Sequence, residues 1–175
     1  MRNPIQTVSE RAPQSSLRRV TADDRQTVIA LIDTVYREFG DSVFLSGYDA
    51  DLTRLPQAYT EAGGDFVVLT NDAGDLLATH AVLPLAVTEN AVQLKRFYVR
   101  ADHRGTGLGR CLMDWALDWS RERGQRRIEL WTDVRFRQAH AIYERWGFVR
   151  QAIRSGEDGN MPYQEYQYTR DIDHA

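Results

Sequence analysis

Lys95–Leu112, KRFYVRADHRGTGLGRCL, packs an apolar run, a basic glycine-rich loop and the start of a helix into eighteen residues. Ala91–Val99 reads as a strand, and from Leu108 a helical stripe of Leu108, Leu112, Trp115, Ala116 and Trp119 runs to a terminating Gly124. Strand, glycine loop and helix in this order suit a phosphate. Glycines let the backbone close around an anion, while the unpaired N–H groups and dipole of the helix start point at it. Arg104 adds a forked, permanently charged donor beside the loop. From Lys95 to Arg110 five basic residues stand against the single acid Asp102.

Spacing separates three phosphate readings. A Walker loop needs a Gly-Lys dipeptide, and the chain has none. A dinucleotide fingerprint finds Gly105 and Gly107 but meets Arg110 at the third glycine position. Glu129 and Asp133 are available as its acidic partner, yet Arg100–Arg104 separate the strand from the first glycine. The third pattern, R-x-x-G-x-G, is met in full by Arg104, Gly107 and Gly109.

Outward from this stretch, Leu17–Val20 reads as a short strand, with Thr21 an N-cap ahead of Asp23 and Asp24. Val28, Leu31, Ile32, Val35 and Phe39 recur at helical spacing before Gly40. Residues 41–64 are irregular, with a short helix near Pro56–Glu61. Asp65–Thr70 and Asp75–Val87 form a hairpin across NDAGD, in which Pro84 belongs at an edge, bulge or unpaired position. Arg127–Thr132 reads as a strand, Arg137–Trp146 as a helix stopped by Gly147, and Phe148–Arg154 and Tyr163–Asp171 as closing strands. Hairpins mixed with helix crossovers predict an α/β (or α+β) fold around a mixed parallel and antiparallel sheet. Residues 1–15 are polar and aperiodic, a loosely ordered lead-in, and 16–175 make one domain.

Composition narrows the function classes. With 42% hydrophobic residues the chain can fill one sizeable core. A net charge of -3 removes the global positive field that non-specific nucleic-acid or anionic-membrane binding needs, so anion binding must be local. Cys111 stands alone and can supply neither an intrachain disulfide nor a cysteine zinc cluster, so no metal is expected. The longest clean apolar run, Ala81–Val87, is far below the roughly 20 residues that span a bilayer, and no apolar stretch follows Arg2 as in a signal peptide. A soluble cytoplasmic protein is expected.

LKRFYVRADHRGTGLGRCLM (residues 94–113) resembles the signature strand, loop and helix of the GNAT superfamily of acyl-CoA-dependent N-acetyltransferases. AHAIYERWGF (139–148) is similar to that family's A-x-x-x-Y-x-x-x-G-F segment. The likeness spans about Leu17–Ile172, with its sharp motifs between Val99 and Phe148. It implies that the strands ending at Val99 and Thr132 splay apart to admit the pantetheine arm of acetyl-CoA as an added strand. Phe97, Tyr98, Val99, Arg104, Gly105, Thr106, Gly107, Leu108, Gly109 and Arg110 are the cofactor-binding residues it implies, with a backbone N–H at or beside Val99 meeting the thioester oxygen. Tyr143 takes the place of the general acid toward the leaving thiolate. The implied reaction is direct acetyl transfer to the primary amine of a small molecule. A protein or peptide acetyltransferase and a non-catalytic CoA-binding sensor are the alternatives. Many members carry an asparagine seven residues before that tyrosine, where this chain has Phe136, with Thr132 and Asp133 nearby as polar substitutes.

The base that takes the amine's proton has several candidates. Some relatives carry Glu where this chain has Gln93, and a neutral amide cannot serve. His80 has a suitable intrinsic pKa, though a strand histidine is more often simply hydrogen-bonded. Glu38, Asp41, Asp49 and Asp51 flank the irregular segment, as a solvated face or as the wall of a site for a cationic amine; a relaying water is a third option. Cys111 near a helix start reads as packing rather than a reactive thiol. Tyr163, Tyr166 and Tyr168 line either an acceptor pocket or a subunit contact, which leaves a homodimer open.

Overall fold

The computed structural model describes residues 15–158 and 161–173. The expected lead-in falls outside the described residues, except that Ser15 is already strand. One seven-stranded sheet carries the chain: β1 (Ser15–Arg19), β2 (Asp65–Asn71), β3 (Leu76–Pro84), β4 (Ala91–Val99), β5 (Arg127–Asp133), β6 (Val149–Asp158) and β7 (Met161–Asp171), in the order β1-β2-β3-β4-β5-β7-β6. Every neighbouring pair is antiparallel except β4 and β5, which the crossover through α3 (Leu108–Glu122) makes parallel. The expected mixed sheet is therefore present. Element ends shift by a few residues: β3 ends at Pro84, with one further bond from Leu85 N–H to Ala91 O, and β6 runs on to Asp158.

Helices cover both faces of the sheet. On one face α1 (Arg25–Arg37) buries Val28, Leu31, Ile32 and Val35, and α2 (Gln57–Thr60) adds Tyr59, against Phe66, Val68 and Ala81. Phe39 lies beyond the end of α1, in a turn, so its helical spacing overstates the helix. A short 3-10 turn (Ala22–Asp24) leads into α1, with the Thr21 N–H donating to Asp24 at 2.7 Å. Arg18 grips the same carboxylate with two 2.7 Å bonds and holds its pKa down to about 2. On the other face α3 buries Leu108, Leu112, Ala116 and Trp119, and α4 (Arg137–Arg145) contributes Tyr143, packing on Leu94, Leu130, Phe148 and Tyr168. No helix among the described residues is long and apolar enough to cross a membrane.

Two irregularities of β4 open and shape a cleft in the middle of the sheet. Its parallel pairing with β5 covers only Ala91↔Arg127 through Leu94↔Leu130, and beyond Leu94 the two strands part. On its other side β4 carries one residue more than β3 between the pairs Ala81↔Lys95 and Thr79↔Tyr98, a β-bulge in which Arg96 takes φ +56°. A non-glycine residue there costs on the order of 1 kcal/mol and persists only where its surroundings hold it.

Candidate active site

The fork between β4 and β5 opens into a cleft of about 1080 Å³. Of the residues singled out from sequence, Phe97, Tyr98, Val99, Arg104, Gly105, Gly109 and Tyr143 line it. Thr106, Gly107, Leu108 and Arg110 do not. Leu108 is buried in the core beneath the loop, Thr106 Oγ1 donates to His103 O, and Arg110 reaches outward toward Asp114. Leu108, enclosed in the core, can offer only its backbone, whereas the Arg110 side chain stays exposed. Gly107 stands at φ +96° as the residue before α3, a conformation that turns the chain sharply into the helix. The first helical bond is Cys111 N–H to Gly107 O, and the N–H groups from Gly105 to Arg110 precede it with no backbone acceptor among the described residues. Such a run suits a phosphate.

Strand alternation orients the rest of the edge. Arg100 N–H bonds Leu77 O on β3, so the Val99 N–H faces the opposite, open side of β4. Across the fork, Tyr143 is buried among the rings of Phe97, Phe148 and Tyr168 at 5.9–6.1 Å, yet no protein group bonds its hydroxyl among the described residues. Burial pushes its pKa well above that of a free phenol, so it keeps its proton at neutral pH.

The segment after α1 is clasped across the mouth of the cleft. Arg104 Nη1 and Nη2 each donate to Glu38 at 2.7 Å, and its Nε donates to Val99 O. Arg135, after β5, donates to Asp41 at 3.0 Å and to Phe39 O at 3.2 Å. Phe39 and Phe136 lie with ring centroids 4.5 Å apart. The departure at Phe136 thus gains an aromatic partner on the opposite wall.

Deeper in, Arg96 is enclosed. It donates to Asp49 at 2.5 Å, to Asp51 through two nitrogens, to the Tyr36 hydroxyl at 3.3 Å and to Tyr48 O at 3.3 Å. The basic stretch Lys95–Arg110 is therefore not one cradle. Arg96 serves a carboxylate pair behind the bulge, Arg100 bonds Asp102, Arg110 leans toward Asp114, and Arg104 stands where the glycine loop meets the cleft. The four acids flagged after α1 are likewise not free for a cation, because Glu38, Asp41, Asp49 and Asp51 each hold an arginine, the first two at the exposed mouth and Asp49 in the interior.

His80 does not reach the cleft. It is fully buried opposite the bulge, its Nδ1 lies 3.1 Å from Lys95 O, and its ring packs on Phe97 and Trp115. Burial lowers its pKa to about 4, which makes it a weak base, and with no access to the cleft it is set aside as the base. Cys111 is buried too, and burial raises its thiol pKa, outweighing the helix start. Of the C-terminal tyrosines, Tyr163 lines the cleft whereas Tyr168 is core. Glu165, which the sequence did not single out, lines the cleft and pairs with Arg154 at 2.6 Å, while Arg154 stacks 4.1 Å over Trp131. Only strand alternation in YQEYQY hinted at it.

The sequence matches the profile described as the Acetyltransferase (GNAT) family over residues 30–148. An uncharacterized N-acetyltransferase, YjgM, of Escherichia coli K12 is 32% identical over 78% of this chain and 84% of its own length. The aminoalkylphosphonate N-acetyltransferase of Salmonella typhimurium is 26% identical over 81% of this chain and 90% of its own. Among solved structures, a phosphinothricin acetyltransferase from Sinorhizobium meliloti in complex with AcCoA superposes with a TM-score of 0.70 at 16% identity, over 91% of this chain and 89% of that one.

Proposed function

We propose, from the premise that this chain belongs to the GNAT family of acetyltransferases and is an acyltransferase, that it moves an acetyl group from acetyl-CoA to the primary amine of a small molecule. The observation that carries this reading is the fork itself. An unpaired β4 edge, the glycine loop through Gly105 and Gly109, and an unbonded tyrosine hydroxyl meet at one cleft. Relatives that act on aminoalkylphosphonates and phosphinothricin support a small acceptor, and the AcCoA-bound neighbour supports the donor.

The residues divide the work by position. The β4 edge beyond Leu94 accepts the pantetheine arm as a strand would, while the N–H run from Gly105 to Arg110 and the Arg104 guanidinium take the pyrophosphate. Donors on the open edge at Val99 stabilise negative charge on the carbonyl oxygen as the amine nitrogen bonds to the acetyl carbon. When the carbon–sulfur bond breaks, Tyr143 gives its phenolic proton to the departing sulfur. Coenzyme A thiol is the stronger acid, so this proton moves in concert with bond breaking and assists more than it drives. Glu38, Asp41, Asp49, Asp133 and Glu165 are each paired with an arginine and Asp158 bonds the Tyr48 N–H, which leaves water or His103, also in the cleft wall, to carry the amine's proton.

Release of free thiol from acetyl-CoA across a panel of amines, amino acids and peptides tests the reading. Turnover is expected with a small amine, and Tyr143→Phe lowers its kcat about 100-fold with little change in KM for acetyl-CoA. Stabilisation of the fold by acetyl-CoA without turnover of any acceptor would instead mark a binding module.

A further inference from the structure

Twenty-one of the chain's 22 basic side chains are arginines, and Lys95 is its sole lysine. It sits at the fork, one residue past the last β4–β5 pair, and lines the cleft. Leu94 and Leu130 point into the core on the α3 face, so alternation sends Lys95 and Trp131 to the opposite face, where Arg154 stacks on Trp131. Asp51 and Asp49 favour the Lys95 charge, and Arg96 and Arg154 oppose it. Both aspartates are already taken by Arg96, and Glu165 by Arg154. Among the described residues no carboxylate lies within ion-pair distance of the Lys95 ammonium and no hydrogen bond engages it. Gln93, the next residue on the same face, is uncharged and lines the cleft as well.

A cation held partly out of water beside other cations, without a counter-ion, is costly unless a ligand supplies one. Arginine at this position would reach and fork; lysine presents a compact point charge at the neck of the cleft. Burial accordingly pushes the Lys95 pKa down, the direction an incoming anion would reverse. Tyr48, Trp131 and Tyr163 wall the same space and suit a short acceptor.

Resting on the acetyltransferase reading of this cleft, we infer that the acceptor is a short amine bearing an anionic group, a carboxylate or a phosphonate, and that Lys95 is the residue that selects it. The ammonium fixes the anionic end and leaves the amine to project toward the open edge at Val99. A cationic diamine meets the same charge as repulsion.

Matched probes of similar length separate the outcomes: β-alanine, 2-aminoethylphosphonate, n-propylamine and 1,3-diaminopropane. The wild-type kcat/KM for at least one anionic probe is expected to exceed that for propylamine about 100-fold, and Lys95→Gln should lower that ratio at least 30-fold. The two anionic probes, compared with each other, identify the preferred group. Equal use of propylamine or the diamine, or an equal loss for all probes in Lys95→Gln, overturns the inference while leaving acetyl transfer intact. A second measurement needs no turnover. With 13C-lysine incorporated, the wild-type protein gives one lysine Cε signal, which an anionic probe should shift in the presence of CoA and propylamine should not. If that signal responds but no probe is acetylated, the anion site stands and the small-amine reading fails. If it responds to none, the inference fails.

Discussion

Arg96 and Arg104 lie eight residues apart on one strand and its loop, and they occupy opposite regimes. The Arg96 side chain is 2% exposed, and its bonds end on Asp49, Asp51, Tyr36 and Tyr48. The Arg104 side chain is 35% exposed, and its one ionic partner, Glu38, is 31% exposed. Removing one member of a buried pair strands the other's charge at several kcal/mol, whereas an exposed pair contributes about 0–1 kcal/mol. The first arginine is thus a fixture that holds the β4 bulge in its left-handed conformation. On the proposed reading, the second exchanges Glu38 for a phosphate at little cost.

The strongest way to break this contrast is Arg96→Met, which leaves Asp49 buried without its counter-ion. A loss of about 3–5 kcal/mol is expected, seen as a thermal midpoint lower by roughly 10 °C for a chain of this size. Adding Asp49→Asn and Asp51→Asn should recover most of it, and an unchanged midpoint in the single variant would end the idea of a fixture. Next comes acid sensitivity at the same bulge. The His80 pKa is about 4 in the fold against about 6.5 in an unfolded chain. Between those values the unfolded state binds the extra proton, so stability falls as pH drops from 6.5 to 4, by about 3 kcal/mol at the lower end. Urea unfolding at pH 7 and pH 4 should show this loss in the wild type and a much smaller one in His80→Gln. The smallest effect belongs to the exposed pair. Glu38→Gln frees the Arg104 fork, and calorimetry should find CoA bound about threefold more tightly; weaker binding would mean that Glu38 orients Arg104 rather than competing for it.

The same contrast separates what was legible in the sequence from what was not. The glycine loop and Tyr143 could be read because their signals are local: a backbone conformation and a helix start within a few residues, and a spacing along one helix. Arg96 could not, since its carboxylates lie 45 and 47 residues away and only folding brings them together. For the same reason the acids after the first helix suggested a cationic ligand, when their partners are arginines of β4 and of the loops that follow β4 and β5. Phe136 looked like a lost polar contact until Phe39 appeared opposite it. Lys95 was read only as one of five basic residues, because its solitude in charge terms depends on which groups claim the neighbouring acids.

The fork has one more consequence. Unpaired strand edges ordinarily template aggregation, which is why proteins guard the outer margins of their sheets. Here the bare edges belong to β4 and β5 in mid-sheet, and each strand's other side is fully engaged, by β3 and by β7. They face each other across the cleft, so a foreign sheet has no line of approach, and only a single extended molecule can thread between them. The protein keeps an adhesive edge permanently available without offering it to another sheet.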